Sequence, residues 1–190
     1  MSLVLLCLFD RMEKIAMKKF ELTADRIEEK GVTLHRIKAL IDFGDVKAGE
    51  LGGYVEKEEN LSQYGNAWVY RHAKVFGNAY IYDDACVCGN AEVYDDAHIY
   101  GNAEVYDDAE VYSNARICSN ADYIYLKGFG SHNRSTTIFK AKSGNICVSC
   151  GCFIGSLQEF ENKVKETHGN NKFAKEYLAL VEAAKIHFEV

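Results

Sequence analysis

The densest gathering of groups able to do chemistry is Gly128-Phe129-Gly130-Ser131-His132-Asn133-Arg134-Ser135-Thr136-Thr137. His132, Arg134, Ser135, Thr136 and Thr137 set an imidazole, a guanidinium and three hydroxyls side by side, with Gly128 and Gly130 permitting close backbone approach. A guanidinium pairs bidentately with phosphate or carboxylate, and backbone N–H groups in a glycine-rich bend add further donors. The segment is read as a binding site for a small anion, with a polar turn as the alternative. It is not a P-loop, because Gly-Lys-Ser/Thr is missing. On a strand, Thr136 and Thr137 face opposite ways, so at most one of them serves a ligand strongly.

The cysteines offer a second chemistry. Cys147, Cys150 and Cys152 resemble half a zinc site. On an extended strand, however, Cys150 and Cys152 share one face and Cys147 takes the other, while zinc requires four converging ligands. No matching Cys-His pair is evident, so these three are read as core residues and no metal is expected. Cys86 and Cys88 share an outward face and are read as interface thiols.

The elements that position these groups follow from a repeat of period six. Alanine stands at 67, 73, 79, 85, 91, 97, 103, 109, 115 and 121, and Val or Ile follows two residues after each of the first nine. A fixed short period marks a solenoid. Extended backward, the frame places Leu51 at an aliphatic position and Val55 and Leu61 at small positions; it breaks at Tyr123. The corners alternate between Gly-Asn (65, 77, 89, 101) and Asp-Asp (83, 95, 107). A coil of three hexads stacks each Asp-Asp on a Gly-Asn and avoids piling like charges about 4.8 Å apart. The aspartates are read as corner residues, with a cation ladder as the alternative.

Strand alternation sends three columns outward: Trp68, Tyr70, Cys86, Cys88, Glu104 and Tyr106; then Lys74, Phe76, Glu92, Tyr94, Glu110 and Tyr112; then Tyr80, Tyr82, His98, Tyr100, Arg116 and Cys118. Three columns so aromatic imply an interface, and Tyr80, Tyr82, His98 and Tyr100 are the expected oligomer contacts. Between Val75 and Ala115 there are nine carboxylates and no Lys or Arg, so the shaft is acidic.

The chain is similar to hexapeptide-repeat proteins over about residues 51–125. The resemblance implies a mainly β fold, a left-handed parallel β-helix with three hexads per coil, and a homotrimer. In the transferases of that family a histidine acts as general base and acyl-CoA lies between subunits. The resemblance therefore offers His98 as catalytic residue and acetyl-CoA as cofactor under an acetyltransferase reading. Against it stand the absence of a long projecting loop and of any cation between 75 and 115 for the CoA phosphates. The passage from Thr33 to Ala67 resembles a group of hexapeptide-repeat proteins of enteric bacteria, with similar sequences in phages and prophages, that carries an acetyltransferase-like label.

Four segments result. Residues 1–16 are read as a non-native or upstream extension, since Met17 opens a natural-looking start; a short helix packed on the body is the alternative. Residues 17–50, with a strand at 33–40, form the N-terminal cap, and 51–125 form the β-helix. Residues 126–190 form a small C-terminal α+β unit of a hairpin (136–140 and 145–149) and two helices. The first helix is opened by the Ser156/Glu159 capping box and closed by Gly169; the second follows Asn171. This unit carries nine Lys and Arg against six carboxylates.

With 190 residues, 48% of them hydrophobic, the chain can bury a core. No apolar run reaches the roughly 18 residues of a membrane span. A net charge of −6 argues against a nucleic-acid polymer as partner. Seven cysteines, without a convincing signal peptide, suggest reduced thiols in the cytoplasm. The expected function is a non-enzymatic oligomeric binding module without cofactor, phage-encoded by resemblance. It would engage or sequester a small anionic, nucleotide-like ligand, as in an anti-defence role, or bind a protein. The alternatives are the acyl-CoA-dependent acetyltransferase and a purely structural oligomer.

Overall fold

The computed structural model describes residues 18–190; the reading of 1–16 lies outside them. Nine two-residue strands wind the shaft: Trp68–Val69 (β4), Lys74–Val75 (β5), Tyr80–Ile81 (β6), Cys86–Val87 (β7), Glu92–Val93 (β8), His98–Ile99 (β9), Glu104–Val105 (β10), Glu110–Val111 (β11) and Arg116–Ile117 (β12). Each pairs in parallel with its counterpart three strands away in the chain, as Trp68 with Cys86 and Cys86 with Glu104. The result is a parallel β-solenoid of about four turns with three strands per coil. The alanines from 67 to 115 and the aliphatic residues two positions later are buried along its axis. Ala121 is exposed, because the frame gives way to a tight turn at Asn120–Asp122.

The corners are satisfied from coil to coil. Asp83, Asp95 and Asp107 have φ near +58°, and Asp83 and Asp95 accept from the N–H of Gly101 and Ser113 at 3.2 and 3.0 Å. Asn66, Asn78 and Asn90 donate to Asp84, Asp96 and Asp108 at 2.8, 3.1 and 3.0 Å. A Cβ on Gly89 would stand 2.7 Å from Asp107 N, so the Gly-Asn corners admit no side chain beneath an Asp-Asp corner. These bonds account for the aspartates as corner residues.

The backward extension of the frame is out of step with the structure. Val55 pairs with Val75 and Leu61 bridges Ile81, so both occupy aliphatic rather than small positions. Leu51 is exposed. The surplus lies between Leu61 and Trp68, where a wider corner carries Gln63, whose side chain accepts from the N–H of Lys19 at 2.8 Å.

The cap contains one strand more than the sequence suggests. Phe20–Glu29 (β1) pairs antiparallel with Val32–Ala39 (β2), which pairs with Leu51–Val55 (β3) and so joins the shaft. A register shift between Leu22 and Arg26 erases the alternation of β1. Phe20 and Phe43 cover Trp68, which leaves the shaft outward yet is fully buried. Gly52 makes this fit, since a Cβ there would lie 2.6 Å from Ile37 and 2.7 Å from the indole.

Residues 123–190 close the opposite end with four strands, not a hairpin. Tyr123–Phe129 (β13), Arg134–Lys140 (β14), Ile146–Cys150 (β15) and Phe153–Ser156 (β16) form one antiparallel sheet. One face meets the shaft, where Phe139 sets its edge on Tyr112 and Tyr112 donates to Val148 O at 2.9 Å. The other face is covered by helices Leu157–His168 (α1) and Lys172–Phe188 (α2).

At the N-terminal end, Ala67 O has no coil beneath it to donate. Lys19, 1% exposed, supplies its ammonium there at 2.8 Å, and burial pulls its pKa down to about 8. Replacing Lys19 with Met should destabilise the chain by about 1–3 kcal/mol at neutral pH in denaturant titrations, because the carbonyl loses its donor. Between pH 8 and 10.5 the unfolded lysine holds more protons than the folded one, so wild-type stability gains on Lys19→Met as pH rises.

Candidate functional site

Two concavities meet at Arg134. The larger, about 690 Å³, is a groove between the β1–β2 hairpin, the second column of the shaft and β14–β15. Its carboxylates are held by neighbouring donors. Glu92 accepts from Lys30 at 2.8 Å and Lys74 at 3.0 Å, and Lys74 also pairs with Glu29. Burial pushes the Glu92 carboxyl up, but the two ammonium groups prevail and hold it below the ordinary carboxylate range. Glu110 accepts from Ser149. Asp108 accepts from Lys127 at 2.5 Å and Asn90 at 3.0 Å, which keeps its carboxyl low.

The smaller cavity, about 400 Å³, lies inside the C-terminal unit between the sheet and the helices. Phe153, Phe160 and Tyr177 give it an apolar body, and Arg134, Lys163, His132 and His168 give it cations and imidazoles. No carboxylate lines it, although Lys163 is also paired with Glu166 at 2.9 Å. Its shape depends on two glycines. Gly130 leaves room for the Tyr177 hydroxyl, which donates to Phe129 O at 3.2 Å. Gly151, at φ +62°, leaves room for Arg134, whose Nη1 would lie 2.3 Å from a Cβ there.

The five residues of the anion motif are thus divided. His132 and Arg134 line the cavity, while Arg134, Ser135 and Thr137 line the groove. Thr136 and Thr137 do point to opposite faces, and both are buried. Thr136 contacts Cys150 Sγ at 3.2 Å and lines neither space. Thr137 accepts from Glu110 N–H at 3.1 Å, and Ser135 lies 3.2 Å from the Tyr125 hydroxyl.

Cys150 is core, but Cys152 is exposed, correcting its reading as a packed residue; the turn at Gly151 breaks the alternation that would have buried it. Cys147 faces the shaft and Cys150 the helices. Among the described residues no three His, Cys, Asp or Glu side chains are gathered to hold a metal. Burial pushes the Cys86 thiol up to about 12 and raises Cys88 as well.

His98 lies on the third column, edge-on to Tyr80 and Tyr82, and lines neither the groove nor the cavity. Desolvation, then Arg116 and Lys142, lower its pKa and so favour the neutral ring. Tyr82 stacks on Tyr100 at 5.1 Å and on Tyr80 at 4.8 Å. The second column differs from what its sequence suggests. Phe76, Tyr94 and Tyr112 are stacked but buried within the chain itself, with Lys30 lying 4.1 Å from the Tyr94 ring.

The residues that sequence reasoning missed are Lys163, His168, Phe153, Phe160 and Tyr177. Phe160 and Val164 were legible as a helix stripe, yet only the docking of α1 on β16 turns that stripe into a cavity wall.

The chain resembles a known protein over a short stretch. It is 48% identical over 42 residues to the uncharacterized acetyltransferase YdcK of Escherichia coli (strain K12). The match covers 22% of this chain and spans only 13% of that protein's length. No family model matches the chain. The β-solenoid and this partial match together fit an acetyltransferase-like hexapeptide-repeat protein. No described helix is long and apolar enough to cross a membrane.

The groove should depend on Glu92. In Glu92→Gln, amide exchange across β1 and β2 should accelerate, reporting a loss of about 1–2 kcal/mol once screening at the exposed Lys30 is discounted. Because the folded Glu92 titrates below 4.5, its contribution is present above that pH and lost as pH falls through the folded value; the variant should lack this acid-dependent loss.

Proposed function

We propose that the protein is a binding module whose C-terminal cavity takes a small anionic ligand with a flat apolar body, such as a nucleotide. The observation that carries this reading is the cavity lining: Arg134, Lys163, His132 and His168 above Phe153, Phe160 and Tyr177, with no carboxylate, on a chain of net charge −6. The groove is the poorer anion site, because Glu92, Asp108 and Glu110 face Lys74 and Arg134 within it. A guanidinium meeting phosphate makes charge-assisted, bidentate bonds, while an aromatic floor suits a base.

Calorimetry with mononucleotides and cyclic dinucleotides should detect binding that Arg134→Ala weakens ten- to a hundredfold, about 1.5–3 kcal/mol. Unchanged binding in that variant, with circular dichroism confirming the fold, would place the site elsewhere.

The second reading, acetyl transfer, is favoured by the partial match to an acetyltransferase. A histidine base must lie within hydrogen-bond reach of the acceptor in a site that holds both substrates. His98 stands instead on a ladder of stacked tyrosines. Acetyl-CoA with a panel of amines and sugars should therefore give no turnover, and a rate lost in His98→Ala would establish the enzyme.

The same ladder supports self-association. The cap covers Trp68 on the first column, where the exposed Tyr106 packs against Tyr123 and Tyr125 of the chain's own sheet, and the chain's own residues bury the aromatics of the second. Tyr80, Tyr82 and Tyr100 on the third stay partly open. We propose a homotrimer built on that column. Sedimentation should give a trimer that Tyr82→Asp with Tyr100→Asp converts to monomer; an unchanged mass would assign the contact to another face.

A further inference from the structure

Among the described cysteines only Cys118 and Cys152 are exposed, and their surroundings are opposite. Cys118 stands beside the Asp122 carboxylate, which accepts from its backbone N–H at 2.8 Å. Cys152 stands at the mouth of the C-terminal cavity, where Arg134 Nη1 approaches its Sγ at 3.6 Å. That approach is built in: Gly151 has no side chain, so the guanidinium lies across the turn toward the sulfur. Behind it, Lys163 and His168 of α1 and His132 of the β13–β14 loop face the same space. Cys150, two residues away, is buried and engaged with Thr136 and the Tyr177 hydroxyl, so it is not presented as a resolving thiol.

We propose that Cys152 is a thiol–disulfide exchange site for small anionic disulfides, drawn to the cavity by its cations. The proposal rests on reading that cavity as an anion site. The Cys152 thiolate attacks one sulfur of the disulfide; a new S–S bond forms as the old one breaks, and the electron pair leaves with the second sulfur as a thiolate. No separate oxidant is consumed, and the chain retains half of the reagent as a mixed disulfide. The Arg134 guanidinium also holds the Cys152 thiol below the ordinary thiol range, whereas the neighbouring Asp122 raises that of Cys118, so the exchanging species is favoured at one site and disfavoured at the other. With Cys150 turned inward, the mixed disulfide persists until an outside thiol removes it.

The full chain can be treated with dithiobis(nitrobenzoate), an anionic aromatic disulfide, with oxidised glutathione, and with neutral dithiodipyridine. Peptide mapping then assigns each modified sulfur. Cys152 should react first with all three, about tenfold ahead of Cys118, and the anionic reagents should gain a further advantage that Lys163→Met reduces. Arg134→Met should slow Cys152 about tenfold, and Arg134→Lys should restore part of the rate. If Cys118 keeps pace with Cys152 under the neutral reagent, or Arg134→Met leaves the Cys152 rate unchanged, the exchange site is refuted while nucleotide binding can still stand. If Cys152 leads but anionic reagents gain nothing, the anion selectivity is refuted, and with it the reading of the cavity.

Discussion

The hydrogen bonds that join each coil to the next are the constraint on which this structure rests. Each shaft strand donates to and accepts from its vertical neighbours, as when Trp68 N–H meets Ala85 O and Cys86 N–H meets Ala103 O. In that register every side chain stands over its counterpart. Small residues must repeat at the tight positions, aliphatic residues must repeat along the axis, and corners must alternate in charge. The Asn-to-Asp rungs and the stacked aromatics are consequences of one translation. So is the problem of the ends, since a stack of coils leaves its terminal groups without partners. The wide corner holding Lys19 settles one end, and the C-terminal sheet, laid on Tyr112 through Phe139, settles the other.

That arrangement also partitions charge. The shaft's carboxylates are absorbed by asparagines, by backbone N–H groups and by Lys30 and Lys74 of neighbouring elements. The groove beside the shaft is correspondingly self-neutralised. The small cavity in the C-terminal unit has cations and imidazoles without carboxylates. Arg134 stands on the border of the two spaces, with the acidic groove on one side and Cys152 on the other. Two exposed sulfurs in a single chain therefore have opposite neighbours, a guanidinium beside Cys152 and a carboxylate beside Cys118.

The solenoid was legible because it is a one-dimensional pattern: alanine at every sixth position and Val or Ile two later specify a strand, a corner and an inward face without any long-range knowledge. The alternation of Gly-Asn with Asp-Asp corners supported the three hexads per coil that the family resemblance implies, since it avoids repulsion between like charges. The helices were legible for the same local reason, from a capping box at Ser156 and an apolar stripe. The failures fall where a local pattern is interrupted. Strand β1 has a register shift and an excess of carboxylates, and the corner before Trp68 is wider than the others, which displaced Val55 and Leu61 to a different role. Trp68 obeys the outward alternation of its strand and is nevertheless buried, because a cap from elsewhere in the chain covers it.

The sequence by itself determined the solenoid, its six-residue period and the chemical types near Arg134, because stacking forces and strand alternation act between residues at constant separations. Which of those types share a space was decided only by tertiary structure. A two-faced strand sends Thr136 into the helix-side core and Thr137 to the groove. The turn at Gly151 brings Cys152 back to Arg134, far behind it in the chain. Helix α1 then contributes Lys163 and His168 from still further along. Contacts among such segments depend on how whole elements dock, and docking is set by surface shape and burial summed over many residues, a quantity that no short window of sequence contains.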